Sequence, residues 1–138
     1  MGKKTYISLL CLGLIVVLAA CSFSITTANY TDLAVATDVD ENNGPVGITN
    51  TFAVDSPIVN VTGVLKNAPE GTIITAEWYY LEGDPVIFID EASYESVDTK
   101  TSFYFNLSKP YAGWPVGRYE VKLYIDDEYK ESVMFKVE

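Results

Sequence analysis

The stretch IITAEWYYL, residues 73–81, decides the fold. Ile74, Ala76, Trp78 and Tyr80 fall on one side of an extended chain, and Thr75, Glu77 and Tyr79 on the other, because side chains two apart share a face of a sheet. One side suits a core and the other suits water. The same period recurs in both directions from there. SFYFNL (102–107) offers Phe103, Phe105 and Leu107 to the inside. GRYEVKLYID (117–126) offers Tyr119, Val121, Leu123 and Ile125, with Arg118, Glu120, Lys122 and Tyr124 pointing out. The last run adds Val133, Phe135 and Val137.

From about residue 46 onward, short β-branched and aromatic runs alternate with turn signals, and no helical period competes. Strands are predicted over 48–54, 58–65, 72–81, 86–90, 101–107, 117–125 and 129–137. About seven strands in some ninety residues fit an all-β, immunoglobulin-like antiparallel β-sandwich over 46–138. The turns agree: APEGT (68–72) places Gly71 where a positive φ costs little. IDDEYK closes the final hairpin through Asp126 and Asp127, a residue type that tolerates the left-handed region. Trp78 reads as the core tryptophan. Trp114, among Pro110, Tyr111 and Pro115, and the strand-opening Gly117-Arg118-Tyr119 read as an interstrand corner rather than a ligand motif.

The Gly-Thr turn, the Glu-Trp-Tyr-Tyr strand and the Gly-Trp-Pro-Val-Gly-Arg-Tyr stretch together give residues 50–138 a familiar look. The domain resembles a family of Ig-like β-sandwich domains of uncharacterised bacterial and archaeal envelope proteins. That resemblance implies no catalytic residues. The chain departs from it in the last hairpin, where Asp126-Asp127 stands in place of Asn-Gly or Asp-Gly.

The N-terminus has a different character. MGKK supplies positive charge, YISLLCLGLIVVLAA an apolar run, and small residues precede Cys21. Leu18-Ala19-Ala20-Cys21 resembles the lipobox of prokaryotic lipoproteins, which implies cleavage after residue 20 and a diacylglycerol on the Cys21 thiol. Two acyl chains hold a protein at a membrane where one binds only marginally. The competing reading is an uncleaved helix from residue 7 to about 28, just long enough to span a bilayer. Either outcome tethers the domain outside the cytoplasm. Cys11 would leave with the leader, so the processed chain would keep Cys21 alone and form no internal disulfide. Residues 21–45, rich in Thr, Asn, Asp and Gly, read as a flexible tether with a short edge strand at 33–39.

Charge and composition narrow the function. All nineteen acidic residues lie beyond residue 30, and removing residues 1–20 leaves seven basic residues against them, a formal charge of −12. Nucleic-acid binding is not expected of so acidic a body, since phosphates must be neutralised by Lys and Arg. The chain has no histidine, which removes the usual nucleophile triads and nearly every zinc site. Glu82, Asp84, Asp90 and Glu91 cluster around one loop as carboxylates do in glycoside hydrolysis, but such a run reads as solvated surface. No enzyme activity and no cofactor are expected.

Asp38, Asp40 and Asn42 recur every second residue as a hard cation requires. The calcium-loop pattern demands Gly at its sixth position and a carboxylate at its twelfth, and Asn43 and Thr49 stand there. A solvated linker is the better reading. Sequons begin at Asn29, Asn60 and Asn106, on the tether and on outward strand positions, and in a chain so rich in Asn, Thr and Ser chance occurrence is the better reading. Tyr79, Tyr104 and Tyr124 all fall on solvent faces, a candidate binding surface for a protein or glycan, set against simple cross-strand pairing. The expected function is a lipid-anchored, extracytoplasmic binding or adhesion module on the cell envelope. The alternative is a structural or accessory subunit of an envelope complex.

Overall fold

The computed structural model describes residues 27–138. The leader, Cys11, the Cys21 anchor and the start of the tether lie outside the described residues.

Among the described residues nine strands form two sheets: β1 (Asn29–Val39), β2 (Pro45–Ile48), β3 (Thr51–Phe52), β4 (Ile58–Lys66), β5 (Ile73–Tyr80), β6 (Ile87–Glu95), β7 (Lys100–Ser108), β8 (Gly117–Ile125) and β9 (Glu128–Val137). One sheet has the order β2-β1-β4-β7 and the other β3-β9-β8-β5-β6. The two pack face to face as the sandwich that the alternation in 73–81 calls for. Ile74, Ala76 and Trp78 are buried, as are Tyr119, Val121, Leu123 and Ile125 on β8 and Phe103 and Phe105 on β7. Tyr80, Leu107 and Val133 sit partly buried against them.

At one end of the core the aromatics lock together. Tyr119 stacks on Phe135 with ring centroids 4.8 Å apart and planes 7° from parallel, and Trp114 meets Tyr119 edge-on at 5.8 Å. The Tyr119 hydroxyl donates to the Pro115 carbonyl at 2.6 Å, and Trp114 Nε1 donates to the Ser56 carbonyl at 2.7 Å. Each buried aromatic thus keeps its polar handle satisfied, and Trp114 and Tyr119 build the corner that their spacing implies.

Three sequence expectations are corrected. The first concerns 21–45, read as tether. Residues 29–39 form β1, which lies between β2 and β4 and is no edge strand. The reason it escapes a pattern search is local: Asp32 sits at φ 56° within a bulge between Thr31 and Ala34. A bulge inserts an extra residue and resets the alternation, so Tyr30 and Val35, five apart, both reach the core. The second concerns 48–54, read as one strand. The Thr49 hydroxyl accepts the Thr51 N–H at 3.1 Å, and this turn carries the chain from β2 in one sheet to β3 in the other. There β3 runs parallel to β9, pairing Thr51 with Lys136 and Phe52 with Val137. That is a departure from a wholly antiparallel sandwich. The third concerns 86–90, which extends to Glu95 because β5 pairs with it throughout, from Tyr80–Ile87 to Ile73–Glu95.

Candidate functional site

The outer face of the five-stranded sheet carries an organised set of side chains, with Phe88, Tyr129 and Met134 exposed and Tyr79, Glu77, Lys122 and Tyr124 half-buried. Register fixes it. One row across β9, β8, β5 and β6 reads Met134, Glu120, Tyr79, Phe88; the next reads Ser132, Lys122, Glu77, Glu91; the third reads Tyr129, Tyr124, Thr75, Ser93. Aromatic pairs close both ends. Tyr79 and Phe88 meet edge-on at 5.7 Å, and Tyr124 and Tyr129 at 5.9 Å.

Between them lies a charged row. The Lys122 ammonium stands 4.9 Å from the centre of the Tyr79 ring, and the Tyr79 hydroxyl donates to Glu77 Oε1 at 3.1 Å. Glu77 faces Lys122 on one side and Glu91 on the other, a like-charged cross-strand pair that a sheet shaped by stability alone would avoid. The Glu77 carboxylate, as hydrogen-bond acceptor, pushes the Tyr124 hydroxyl up to about 12. Tyr79 is raised as well, by desolvation first and then by Glu77. Both phenols stay protonated as donors beside a fixed carboxylate. A shallow groove of about 230 Å³, lined by Thr75, Glu77, Glu91, Tyr124 and Asp127, opens here. The arrangement can grip a polar partner by stacking, hydrogen bonding and negative charge.

The structure divides the three tyrosines singled out from sequence. Tyr79 and Tyr124 share this face, whereas Tyr104, 43% exposed on β7, belongs to the other sheet and cannot join them. Phe88, Lys122 and Tyr129 complete the face. Alternation alone points Lys122 outward, but only register brings these residues into rows.

The other candidates take structural places. Asp40 Oδ1 accepts the N–H groups of Asn42 and Gly44, each at 2.8 Å, and Asp38 Oδ1 accepts that of Val39 at 2.8 Å. The calcium-like run is thus the turn between β1 and β2. Among the described residues no group of three or more His, Cys, Asp or Glu is placed to hold a metal. Asn60 is 2% exposed and its amide donates to the Ala36 carbonyl at 3.4 Å, so this sequon is inaccessible in the folded domain; the reading of it as outward and exposed is corrected by burial on the central strand β4. Asn29 and Asn106 are exposed. The carboxylates near residue 84 do not converge: Glu82 is held by Arg118 at 2.7 Å, which lowers the Glu82 pKa, and Asp90 and Glu91 point to opposite faces of β6.

No family model matches this chain. No curated protein matches it either. Among solved structures, it is similar to an alkylpurine DNA glycosylase, AlkC, of Pseudomonas fluorescens bound to DNA containing an abasic site analog, with TM-score 0.53 and 12% identity over 81% of this chain and 30% of that one. A GH3 beta-glucosidase of Bifidobacterium adolescentis overlaps at TM-score 0.44 and 13% identity, over 84% of this chain and 18% of that one. The chain therefore spans less than a third of either enzyme. At such identity the glycosylase likeness bears on the fold alone: a β-sandwich unit.

Proposed function

We propose that this chain is a lipid-anchored, extracytoplasmic binding module without chemistry of its own, which takes a protein or glycan on the outer face of the five-stranded sheet. The supporting observation is the pairing of Tyr79 with Phe88 and of Tyr124 with Tyr129 at the two ends of the Lys122–Glu77–Glu91 row. Tyrosines give apolar contact area with a polar tip and recur at recognition surfaces. The acidic body favours cationic partners and disfavours nucleic acid. Anchoring through Cys21 places this face outside the membrane.

The test uses the full chain in its own cells. Tyr79→Ala with Tyr124→Ala, checked for an unchanged melting temperature, abolishes cross-linking to the partner, and Tyr104→Ala preserves it. Cys21→Ser moves the protein out of the membrane fraction. Equal cross-linking in both tyrosine variants contradicts the binding face, and membrane retention of the Cys21→Ser protein contradicts the anchor.

A further inference from the structure

Strand β6 ends its sheet, and every one of its residues is exposed. A long edge strand with free backbone groups is a template for another strand unless it is blunted. Among the described residues this one has no lysine, no proline within its bounds and no covering element in the sheet order, and its bulge, opposite Trp78 and Tyr79, lies outside 91–95. Its apolar content is high: Ile87, Phe88 and Ile89 are 51%, 51% and 36% exposed.

The direction of its backbone groups follows from its neighbours. The Ser96 N–H reaches the Thr72 carbonyl at 2.8 Å and the Ser96 carbonyl takes the Gly71 N–H at 2.8 Å, so both face the β5 side. Ile73 turns its own N–H and C=O to Asp126, toward β8, which leaves Ile74 to bond across to Tyr94. By alternation Tyr94 and Ala92 bond to β5, and the N–H and C=O groups of Glu91, Ser93 and Glu95 point out of the free edge, where the Glu91 N–H donates to Asp90 Oδ1 at 2.8 Å.

What lies on either side of that edge defines an occupant. Inward, between β6 and the other sheet's free edge strand β7, runs a groove of about 390 Å³ lined by Ala92 and Tyr94 on one wall and Phe103 and Phe105 on the other. Beyond its end, Ile87 and Ile89 line an apolar cleft of about 220 Å³ with Pro110 and Trp114. Outward lie Glu91 and Glu95, opposite Glu77 and Ile73. No Lys or Arg occurs between Lys66 and Lys100, a stretch that holds Asp84, Asp90, Glu91, Glu95 and four further carboxylates. A second copy is a poor fit, because antiparallel β6–β6 pairing centred on Ser93 sets Glu91 against Glu95, and like charges directly opposite are destabilising.

We infer that β6 receives an extended segment of another protein as an added strand, one that alternates apolar residues facing the β6–β7 groove with lysine or arginine facing Glu91 and Glu95. Main-chain bonds to the N–H groups of Ser93 and Glu95 and to the carbonyls of Glu91, Ser93 and Glu95 supply affinity, and the two-residue period supplies specificity. This deepens the binding-module reading by naming the partner's chemistry and the edge it uses.

The test is amide hydrogen exchange, resolved by residue, on the full chain in detergent micelles, with a synthetic ten-residue peptide of alternating lysine and valine as probe. Saturating peptide slows exchange at Ser93 and Glu95 by roughly tenfold or more and leaves the β5-bonded amides of Ala92 and Tyr94 little changed. An alternating glutamate–valine peptide has no effect. Ser93→Pro, which removes only an outward N–H and is tolerated on an edge strand, abolishes protection at Glu95 while the melting temperature is kept. Glu91→Lys with Glu95→Lys weakens the peptide by roughly tenfold or more, the loss of two charge contacts.

Unchanged exchange at the Ser93 and Glu95 amides under saturating peptide overturns the proposal, as does equal protection by the acidic peptide. Protection already present without peptide also overturns it: if concentration-dependent it assigns the edge to a second copy, and if not, to another segment of this chain. Loss of cross-linking through Tyr79 and Tyr124 in cells, with no protection of β6 by the peptide, refutes strand addition and spares the binding face.

Discussion

Asp126 and Asp127 occupy the tight connection between β8 and β9 with φ of 48° and 66°, both in the left-handed region. A two-residue hairpin of this hand demands positive φ at both positions, and Gly or Asn serves it best at the second. The two aspartates are not equivalent. Asp126 Oδ1 accepts the Ile73 N–H at 3.0 Å, tying the turn to β5, whereas Asp127 contributes backbone shape alone to the turn. Asp127→Gly is therefore expected to stabilise the domain by about 0.5–1 kcal/mol, and Asp126→Gly to destabilise it by about 1 kcal/mol through the lost bond. Urea unfolding of the two variants decides it; a destabilised Asp127→Gly protein contradicts the assignment. Tyr124 offers a second residue-level check. Its hydroxyl is raised from 10.0 to about 12 with Glu77 as the leading cause. The raised value favours the neutral phenol in the folded state, so its contribution to stability is complete below about pH 10 and is lost as pH rises toward 12. Glu77→Gln moves this titration back toward 10, as an ultraviolet difference titration against the parent protein reports.

At the level of elements, what was legible from sequence and what was not divide on a physical line. Alternation places β8 at its true bounds and β5, β7 and β9 within a residue of theirs, because β5, β7 and β8 bury one face along an unbroken two-residue period and β9 does so from Val133 onward, past its bulge. Strand β1 was not legible beyond its second half, since the Asp32 bulge shifts Tyr30 and Val35 onto one side. The far half of β6 was missed for a different reason: as an edge strand with all its side chains exposed, EASYE carries no burial pattern to read. The same blindness applies to the candidate site. Outward positions of Tyr79 and Tyr124 follow from alternation, but which strands adjoin depends on topology, and that is why Tyr104 was grouped with them. Strand β4 shows how tightly the inner layer is set. A Cβ at Gly63 would stand 2.7 Å from Leu33 Cδ2 and 2.8 Å from Phe103 Cζ. Gly63→Ala is thus expected to cost about 1–3 kcal/mol, measured by the urea midpoint; an unchanged midpoint would show that Leu33 and Phe103 yield freely.

For the whole molecule, the charge and the two sheets divide the labour. The domain holds itself together without a disulfide among its described residues, through a core that runs from Tyr30 and Phe103 to Trp114 and Phe135. Its net charge of −10 keeps copies apart. Ala36, Asn60 and Thr62 of the four-stranded sheet are buried, whereas the five-stranded sheet presents the aromatic and ionic rows together with the open edge. The binding module proposed above needs one face for its partner, and this asymmetry supplies it. The most direct measurement is a tyrosine footprint of the full chain, taken once in its native membranes and once after purification. Working contact through the five-stranded sheet predicts that Tyr79, Tyr124 and Tyr129 are shielded in the membranes and labelled after purification, with Tyr104 and Tyr111 labelled alike in both. Shielding confined to Tyr104, or identical footprints in the two settings, would contradict it.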